Sequence, residues 1–260
     1  MEQHRIWRER ISRAVGYPQA ALVSDHFIHC GVITACQLHG TAIRYVILMS
    51  PITLKSVRKC EQESPWRVAN ESLYSLCRQY PDHRESDAVL AKILLIGRSY
   101  AAAIERRKDK DESNDDFYND RVAPAMCRSK IDAWIKSAAK FETPSVVSMP
   151  TILAAHENVT KLFKSISGLE KRSLASKYLH FHLPNLFFIY DSRVVRAMRS
   201  FSSIVGKVGS NGFGGDKEYS KFAEKCFILN DYITDRFKIT LTPRQIDNLL
   251  LEKSKTMLNR

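Results

Sequence analysis

The stretch from Ser167 to Val194, SGLEKRSLASKYLHFHLPNLFFIYDSRV, decides the fold. A helical pattern precedes it, and Ser167 to Lys171 form a short glycine-containing turn. A second helix, Arg172 to His182, follows and is stopped by Pro184. An apolar connector then leads to Asp191, which is placed to cap the start of the next helix. The stretch therefore predicts two helices joined by a tight turn, with a carboxylate at the start of a third.

Helical patterns dominate the remaining sequence from Glu71 onward. The predicted segments are Leu73 to Pro81, Val89 to Arg107, Ile131 to Ala139, Thr151 to Ile166, Asp191 to Phe201, and a last helix capped by Thr242 with Pro243 at its first position. The part around Ala91 to Ala103 is nearly apolar on all sides, so we expect that helix to run through the protein interior.

The predicted fold is mainly α, in two regions. Residues 1–65 are expected to form an amphipathic helix and a small β ribbon packed on the core, the ribbon lying between His26 and Ser50. Residues 66–260 are expected to form a helical domain in two lobes with the active-site cleft between them. The charged segment Lys108 to Asp120 is predicted to be an exposed loop that separates the lobes. The glycine-rich VGKVGSNGFGGD is predicted to be a flexible loop.

The charge and composition of the chain narrow the class of molecule that it is expected to bind. Forty Lys and Arg residues against 28 Asp and Glu give a net charge of +12, which favours a polyanion, and double-stranded DNA is the leading candidate. A basic solvated surface without a specific partner is the alternative. The six cysteines form no CxxC pair, so no metal site is expected and a reducing cytoplasm fits best. No apolar run is long enough for a membrane span, and we expect a monomer.

The segment that opened this section resembles the helix-hairpin-helix DNA glycosylase superfamily, especially a bacterial branch with an 8-oxoguanine-DNA-glycosylase-like fold. In that superfamily a glycine-containing hairpin is followed by a helix, a connector with proline, and an aspartate that begins another helix. Ser167 to Lys171 match the hairpin, and Asp191 matches the aspartate. SKYLHFH from Ser176 to His182 and IYDS from Ile189 to Ser192 are similar to the branch motif.

A second match is IGRSYAAAIERR, from Ile96 to Arg107, which is similar to the helix and turn that push residues into the duplex beside the target base. The resemblance covers roughly Glu71 to Leu251. The hairpin carries only Gly168, whereas the family pattern GxG has two glycines, so the family's phosphate geometry is not carried over. The four-cysteine iron–sulfur motif of some relatives is absent, and no cofactor is expected.

The resemblance implies that the enzyme flips a base out of the duplex and breaks its N-glycosidic bond. Asp191 would stabilise the positive charge that forms on the sugar. A nucleophilic lysine would add strand cleavage. Lys171 has the family spacing before Asp191, and Lys177, within SKYLHFH, is the competing candidate. The candidates for DNA contacts are Gly168, Arg172, Arg98, Tyr100, Arg106 and Arg193, and those for the base pocket are Tyr190, His180, His182 and Phe188.

Each of these candidate residues also has a simpler, purely structural interpretation. Asp191 is explained by helix capping alone, the two lysines by phosphate contacts or solvation, and the histidines and aromatic residues by core packing. At the level of function, the alternatives are a non-catalytic DNA-binding module on the same scaffold and an 8-oxoguanine repair glycosylase/lyase. The substrate expected by resemblance is a modified base of phage DNA, with glucosylated hydroxymethylcytosine as the specific hypothesis.

Overall fold

The computed structural model describes residues 52–62, 65–106, 113–206 and 212–258. Every regular element in these ranges is a helix, so the predicted mainly α class is confirmed for the described part of the chain. The chain divides into the units Met1–Ile52 and Thr53–Arg260, and the helices belong to the second. The predicted N-terminal helix and β ribbon lie outside the described residues.

The described helices are, in chain order, α1 (Leu54–Glu61), α2 (Arg67–Gln79), α3 (Ser86–Ser99), α4 (Asn114–Asp116), a π-helix (Phe117–Val122), α5 (Ala123–Cys127), α6 (Ile131–Ala138), α7 (Met149–Ser167), α8 (Arg172–His182), α9 (Ser192–Met198), a 3₁₀-helix (Arg199–Phe201), α10 (Ser202–Val205), α11 (Lys217–Phe237) and α12 (Pro243–Leu258).

The predicted helix signals at α8 and α12 are confirmed. Helix α8 has the expected bounds, since Gly168 ends the preceding helix and Pro184 follows the last turn. At the start of α12, the Gln245 N–H donates to Thr242 Oγ1 (3.3 Å), and the Thr242 N–H donates to Gln245 Oε1 (2.8 Å). This reciprocal capping box satisfies two backbone donors at once.

The expectation that Lys108 to Asp120 form an exposed loop is wrong from Asn114 onward. Ser113 caps α4 by accepting a hydrogen bond from the Asp116 N–H, and the π-helix continues from it. Phe117 and Tyr118 are buried in the core. The charged composition of the segment concealed these two aromatic residues, which are enough to anchor it.

The most buried helix is α8 rather than α3. All residues from Leu174 to Phe181 are buried, although several are polar. Helix α3 instead exposes one face, where Leu95 is 47% exposed and the Arg98 side chain 54% exposed. The expectation that α3 runs through the interior is therefore wrong, because an apolar composition does not prevent one face of a helix from meeting solvent.

Two buried polar side chains near α8, Lys92 and His83, are hydrogen-bonded. The Lys92 amine donates to the carbonyl oxygens of Tyr80 and Asp82, both at 2.7 Å. His83 lies between the Asp132 carboxylate (2.5 Å) and the Tyr178 hydroxyl (2.7 Å). These bonds compensate for the lost hydration of the polar atoms and fix α8 against α3 and α6.

The end of the glycine-rich segment packs against α7. Gly215 has φ +80°, and a Cβ atom there would lie 2.8 Å from the Leu153 Cβ. The next residue, Asp216, caps α11 through the Tyr219 N–H (3.0 Å). A glycine is required at 215 because the backbone needs a positive φ and approaches Leu153 too closely for a side chain.

Candidate active site

The turn between α7 and α8 is built on one glycine. Gly168 has φ +73°, and its N–H donates to the Lys164 carbonyl (2.8 Å) as the left-handed cap of α7. Helix α8 begins after Lys171, whose side chain makes no capping hydrogen bond. The first turn of α8 therefore lacks a side-chain cap, and its N–H dipoles favour an anion.

Asp191 is the N-cap of α9, as the sequence predicted. Its Oδ1 accepts hydrogen bonds from the N–H groups of Arg193 (2.8 Å) and Val194 (3.1 Å). The carboxylate is 15% exposed, and its Oδ2 faces Lys177 and the Arg193 guanidinium. One oxygen is thus held by the helix, while the other is directed at two cations.

Lys177 is the lysine that forms an ion pair with Asp191. Its side chain is only 3% exposed, and its Nζ lies 3.8 Å from the Asp191 Oδ2. The amine also donates to Ser173 Oγ (2.9 Å) and to the Tyr100 carbonyl (3.1 Å). Burial lowers the pKa of Lys177, and the charge of Asp191 opposes this shift. A buried amine next to a carboxylate is the arrangement expected of a reactive lysine.

Lys171, the lysine with the family spacing, makes different contacts. Its amine donates to the carbonyl oxygens of Arg106 (2.8 Å) and Ala103 (3.4 Å), in the turn after α3. These bonds connect the α7–α8 turn to the segment that resembles the duplex-inserting element. The geometry therefore favours Lys177 as the partner of Asp191, and it gives Lys171 a role in joining two loops.

A hydrogen bond beside the ion pair connects α8 to the connector that precedes α9. The buried Ser176 Oγ accepts from the Tyr190 N–H at 3.0 Å. Ser176 directly precedes Lys177, and Tyr190 directly precedes Asp191. The contact therefore sets the separation of the two backbone segments that carry the ion pair.

A second ion pair, from α12, adjoins the first. The Arg244 Nη1 lies 3.5 Å from the Asp247 Oδ2. The Arg244 guanidinium is 5.5 Å from the centroid of the Tyr100 ring, and the Lys177 amine is 5.8 Å from the same centroid. The two cations thus share one aromatic ring.

Aromatic groups hold Arg244 in place. The guanidinium also approaches the rings of Tyr74 (5.9 Å) and Phe181 (5.5 Å), and it donates to the Tyr74 hydroxyl at 3.0 and 3.1 Å. The Tyr74 hydroxyl contacts His180 Nε2 (2.8 Å), and His180 Nδ1 donates to the Phe187 carbonyl (2.9 Å). This acceptor fixes the His180 tautomer, so Nε2 accepts from Tyr74.

Asp247 is a buried carboxylate with incomplete hydrogen bonding. It is 4% exposed, and its Oδ1 has no hydrogen-bond partner within the described ranges. Burial raises the pKa of Asp247 to about 6, against the opposing charge of Arg244. Sequence analysis did not identify this residue, because a single Asp in a capped helix carries no signal of its own.

The predicted DNA contacts fall into two groups. Arg193 and Arg98 are exposed, at 66% and 54%, and pair loosely with Asp191 (3.4 Å) and Glu105 (3.3 Å), respectively. Arg106 is exposed as well. Arg172 instead makes close ion pairs with Asp216 (2.7 Å) and Glu170, so two carboxylates offset its charge.

The predicted base-pocket residues lie mostly in the interior. His180 and Phe188 are buried, with the His180 ring committed to the bonds described above. The Nε2 of His182 is buried and has no hydrogen-bond partner in the described structure. Tyr190 is partly exposed, and its ring packs edge-on against Phe222. Of the four, Tyr190 is the one beside Asp191 that also reaches solvent.

Comparison of the chain with protein-family models, with curated proteins and with solved structures gives no match. No helix in the described ranges is long and apolar enough to cross a membrane.

Proposed function

We propose that the chain is a DNA glycosylase that flips a modified base out of duplex DNA and breaks its N-glycosidic bond, leaving an abasic site. The observation that carries the proposal is the Lys177–Asp191 ion pair, which joins the middle of α8, the helix that follows the Gly168 turn, to the start of α9. The resemblance to helix-hairpin-helix glycosylases and the net charge of +12 support it. The helix-hairpin-helix fold in two lobes is part of the same proposal.

Asp191 is suited to the bond-breaking step. When the N-glycosidic bond breaks, positive charge develops on the sugar, and a carboxylate close to it lowers the energy of the transition state. The Asp191 Oδ2 is the oxygen available for this role, since Oδ1 is occupied by backbone N–H groups. Water, activated by the same carboxylate, then attacks C1′ and completes the hydrolysis.

Lys177 favours a second candidate, a glycosylase with lyase activity. In that reaction the neutral amine bonds to C1′ while the base leaves with the electron pair of the N-glycosidic bond. Loss of an amine proton and cleavage of the C1′–O4′ bond, whose oxygen takes up a proton as the sugar ring opens, then give a Schiff base. The lowered pKa of Lys177 makes the neutral amine more accessible than in a solvated lysine.

DNA contacts in this proposal come from the surface around Asp191. The uncapped start of α8 beyond Gly168 would hold a phosphate oxygen, and the exposed guanidinium of Arg193 would hold another. Arg98, in the last turn of α3, and Tyr100 and Arg106, in the segment that follows this helix, are proposed to occupy the gap left by the flipped base. Glucosylated hydroxymethylcytosine in phage DNA is the proposed substrate, and 8-oxoguanine is its alternative.

The test is a panel of duplexes with unmodified bases, uracil, 8-oxoguanine, alkylated bases, hydroxymethylcytosine or its glucosylated form. Free base and alkali-labile breaks are measured with the native protein, with Asp191→Asn, and with Asp235→Asn as a matched control on the exposed side of α11. We expect base release from one duplex, reduced at least about 100-fold in Asp191→Asn and unchanged in the control. Breaks before alkali treatment identify the lyase.

Three other results would replace the proposal. Tight, salt-sensitive binding without base release from any duplex indicates a non-catalytic DNA-binding module. Equal base release by Asp191→Asn and the native protein rules out the proposed role of the carboxylate. Strand breaks that need a divalent metal and leave no free base indicate a nuclease.

A further inference from the structure

Four charged groups of alternating sign come together where α12 meets α8 and the start of α9. Asp191 pairs with Lys177, and Asp247 pairs with Arg244, while the Tyr100 ring contacts both cations. Arg193 also faces this cluster, through its contact with Asp191 (3.4 Å). Because Lys177 and Asp247 are both almost completely buried, the charge of each depends on its neighbours rather than on water.

Asp191 pairs only loosely with the Lys177 amine. Asp191 lies 3.8 Å away, beyond hydrogen-bond distance, and its other oxygen is committed to capping α9. The Lys177 amine otherwise donates to two neutral oxygens, those of Ser173 and Tyr100. A second negative charge nearby would therefore stabilise the buried ammonium.

Asp247 is the buried carboxylate that can supply it. Its Oδ2 is 3.5 Å from Arg244, a weak pairing, and its Oδ1 is buried without a hydrogen-bond partner in the described structure. Because Asp247 is only weakly paired with Arg244, its negative charge still acts on the other groups of the cluster. Burial lowers the pKa of Lys177, the charges of Asp191 and Asp247 act to raise it, and those of Arg193 and Arg244 add to the lowering.

We propose that Asp247 is a positioning residue of the active site, which keeps the Lys177 ammonium charged and seated between Asp191 and the Tyr100 ring. In the resting protein Asp247 balances Lys177, so that the amine remains protonated although it is buried. When Asp247 takes up a proton, the balance is lost and Lys177 releases its own proton more readily. As a role in catalysis, this inference rests on the proposed glycosylase function.

The test measures the ionisation of Lys177 directly and needs no DNA. Protein labelled with ¹³C at the lysine ε-carbon is titrated by NMR, and the Lys177 signal is assigned by its loss in Lys177→Met. We expect Asp247→Asn, which keeps the shape of the side chain, to move the Lys177 midpoint down by about one pH unit. Glu252→Gln, a carboxylate-to-amide change on the same helix at its Lys59 pair, should leave the midpoint in place.

The reciprocal measurement covers the case in which Asp247→Asn does not fold. Lys177→Met removes a buried charge and keeps an unbranched side chain, and the Asp247 carboxyl carbon is then titrated in the variant. Since coupling between two ionisable groups is mutual, its midpoint should rise by a similar amount. Midpoints that do not move in either variant would overturn the inference, because a purely structural Asp247 would change the melting temperature alone.

The DNA assay separates this inference from the proposed function. If base release occurs, Asp247→Asn should shift the limb of its pH profile that reports Lys177 down by the same interval as the NMR midpoint. If the NMR midpoint moves but no duplex releases a base, the coupling between Lys177 and Asp247 is supported and the proposed glycosylase function is rejected. Base release with an unmoved midpoint and an unshifted pH profile rejects the role of Asp247 alone.

Discussion

The Lys177 Nζ lies 3.8 Å from the Asp191 Oδ2, whereas the other carboxylate oxygen, Oδ1, accepts hydrogen bonds from the backbone N–H groups of Arg193 and Val194. The same residue therefore begins a helix and pairs with a buried amine. Its two roles can be separated by substitution, because an amide keeps the capping oxygen while removing the charge.

Asp191→Ala should be less stable than Asp191→Asn by about 1 kcal/mol. Both variants lose the charge beside Lys177, but only alanine also loses the acceptor for the Arg193 and Val194 N–H groups. Urea unfolding of the two variants measures the difference. Equal stability would mean that the cap contributes nothing to the fold.

Acidification should destabilise the protein through His156, which is buried and stacks on Tyr219 with the ring centroids 3.5 Å apart. Its Nε2 donates to the Arg172 carbonyl, and its Nδ1 is buried without a hydrogen-bond partner in the described structure. Burial lowers the pKa of His156 to about 4. Protonation would therefore place a charge on a nitrogen that has no acceptor.

The sign of this pH effect on the free energy of unfolding follows from comparing proton binding by the folded and unfolded chains. Between pH 6.5 and about 4 the unfolded histidine binds a proton and the folded one does not, so the free energy of unfolding falls as the pH falls. His156 contributes about 1.4 kcal/mol per pH unit in this window. His156→Gln keeps a donor for the carbonyl but cannot titrate, so its stability should decline less steeply. Parallel curves from urea unfolding at several pH values would exclude His156 as the cause.

Gly215→Ala should destabilise the protein more than Gly214→Ala. Both glycines have a positive φ, near +80°, which costs an alanine about 1 to 2 kcal/mol. At 215 the new Cβ would also lie 2.8 Å from the Leu153 Cβ, whereas at 214 nothing lies within 4 Å. Overpacking adds about 1 to 3 kcal/mol at 215. Similar melting temperatures for the two variants would show that this loop yields to the added methyl group.

Arg193→Gln should weaken binding to every DNA sequence by a similar factor and lower the salt dependence. The Arg193 side chain is 66% exposed beside Asp191, where a phosphate would lie in the proposed complex. Losing one phosphate contact reduces the slope of log affinity against log salt by about one. Fluorescence anisotropy at several salt concentrations measures it, with Arg78→Gln as the control at an exposed arginine paired with Glu71. An unchanged slope for Arg193→Gln would remove this residue from the DNA surface.

The helices that sequence analysis predicted best are bounded by residues with strong local preferences. Gly168 and Pro184 bracket α8, and Thr242 with Pro243 begins α12, so local chemistry alone fixes these ends. Helix α11 went unpredicted. Its buried residues, among them Phe222, Cys226 and Leu229, recur every three or four positions, which is the period of a helix, so the signal was present in the sequence.

The candidate site was predictable only in part. Asp191 could be found because capping and resemblance point to the same residue. The choice between Lys171 and Lys177 could not be made from spacing, because it depends on which face of α8 turns toward α9. Asp247 and Arg244 come from a distant part of the chain, and only tertiary packing brings them to the site.

The Ser176–Tyr190 hydrogen bond directly limits the distance between the two segments that carry Lys177 and Asp191. The distance between the Lys177 and Asp191 side chains is restrained by one hydrogen bond between their immediate neighbours, so changes elsewhere in the molecule have little effect on it. A change of length in the surrounding loops should therefore leave the separation of these two side chains in place. For transplantation into another scaffold, the unit to carry over is this pair of segments together with the serine that joins them.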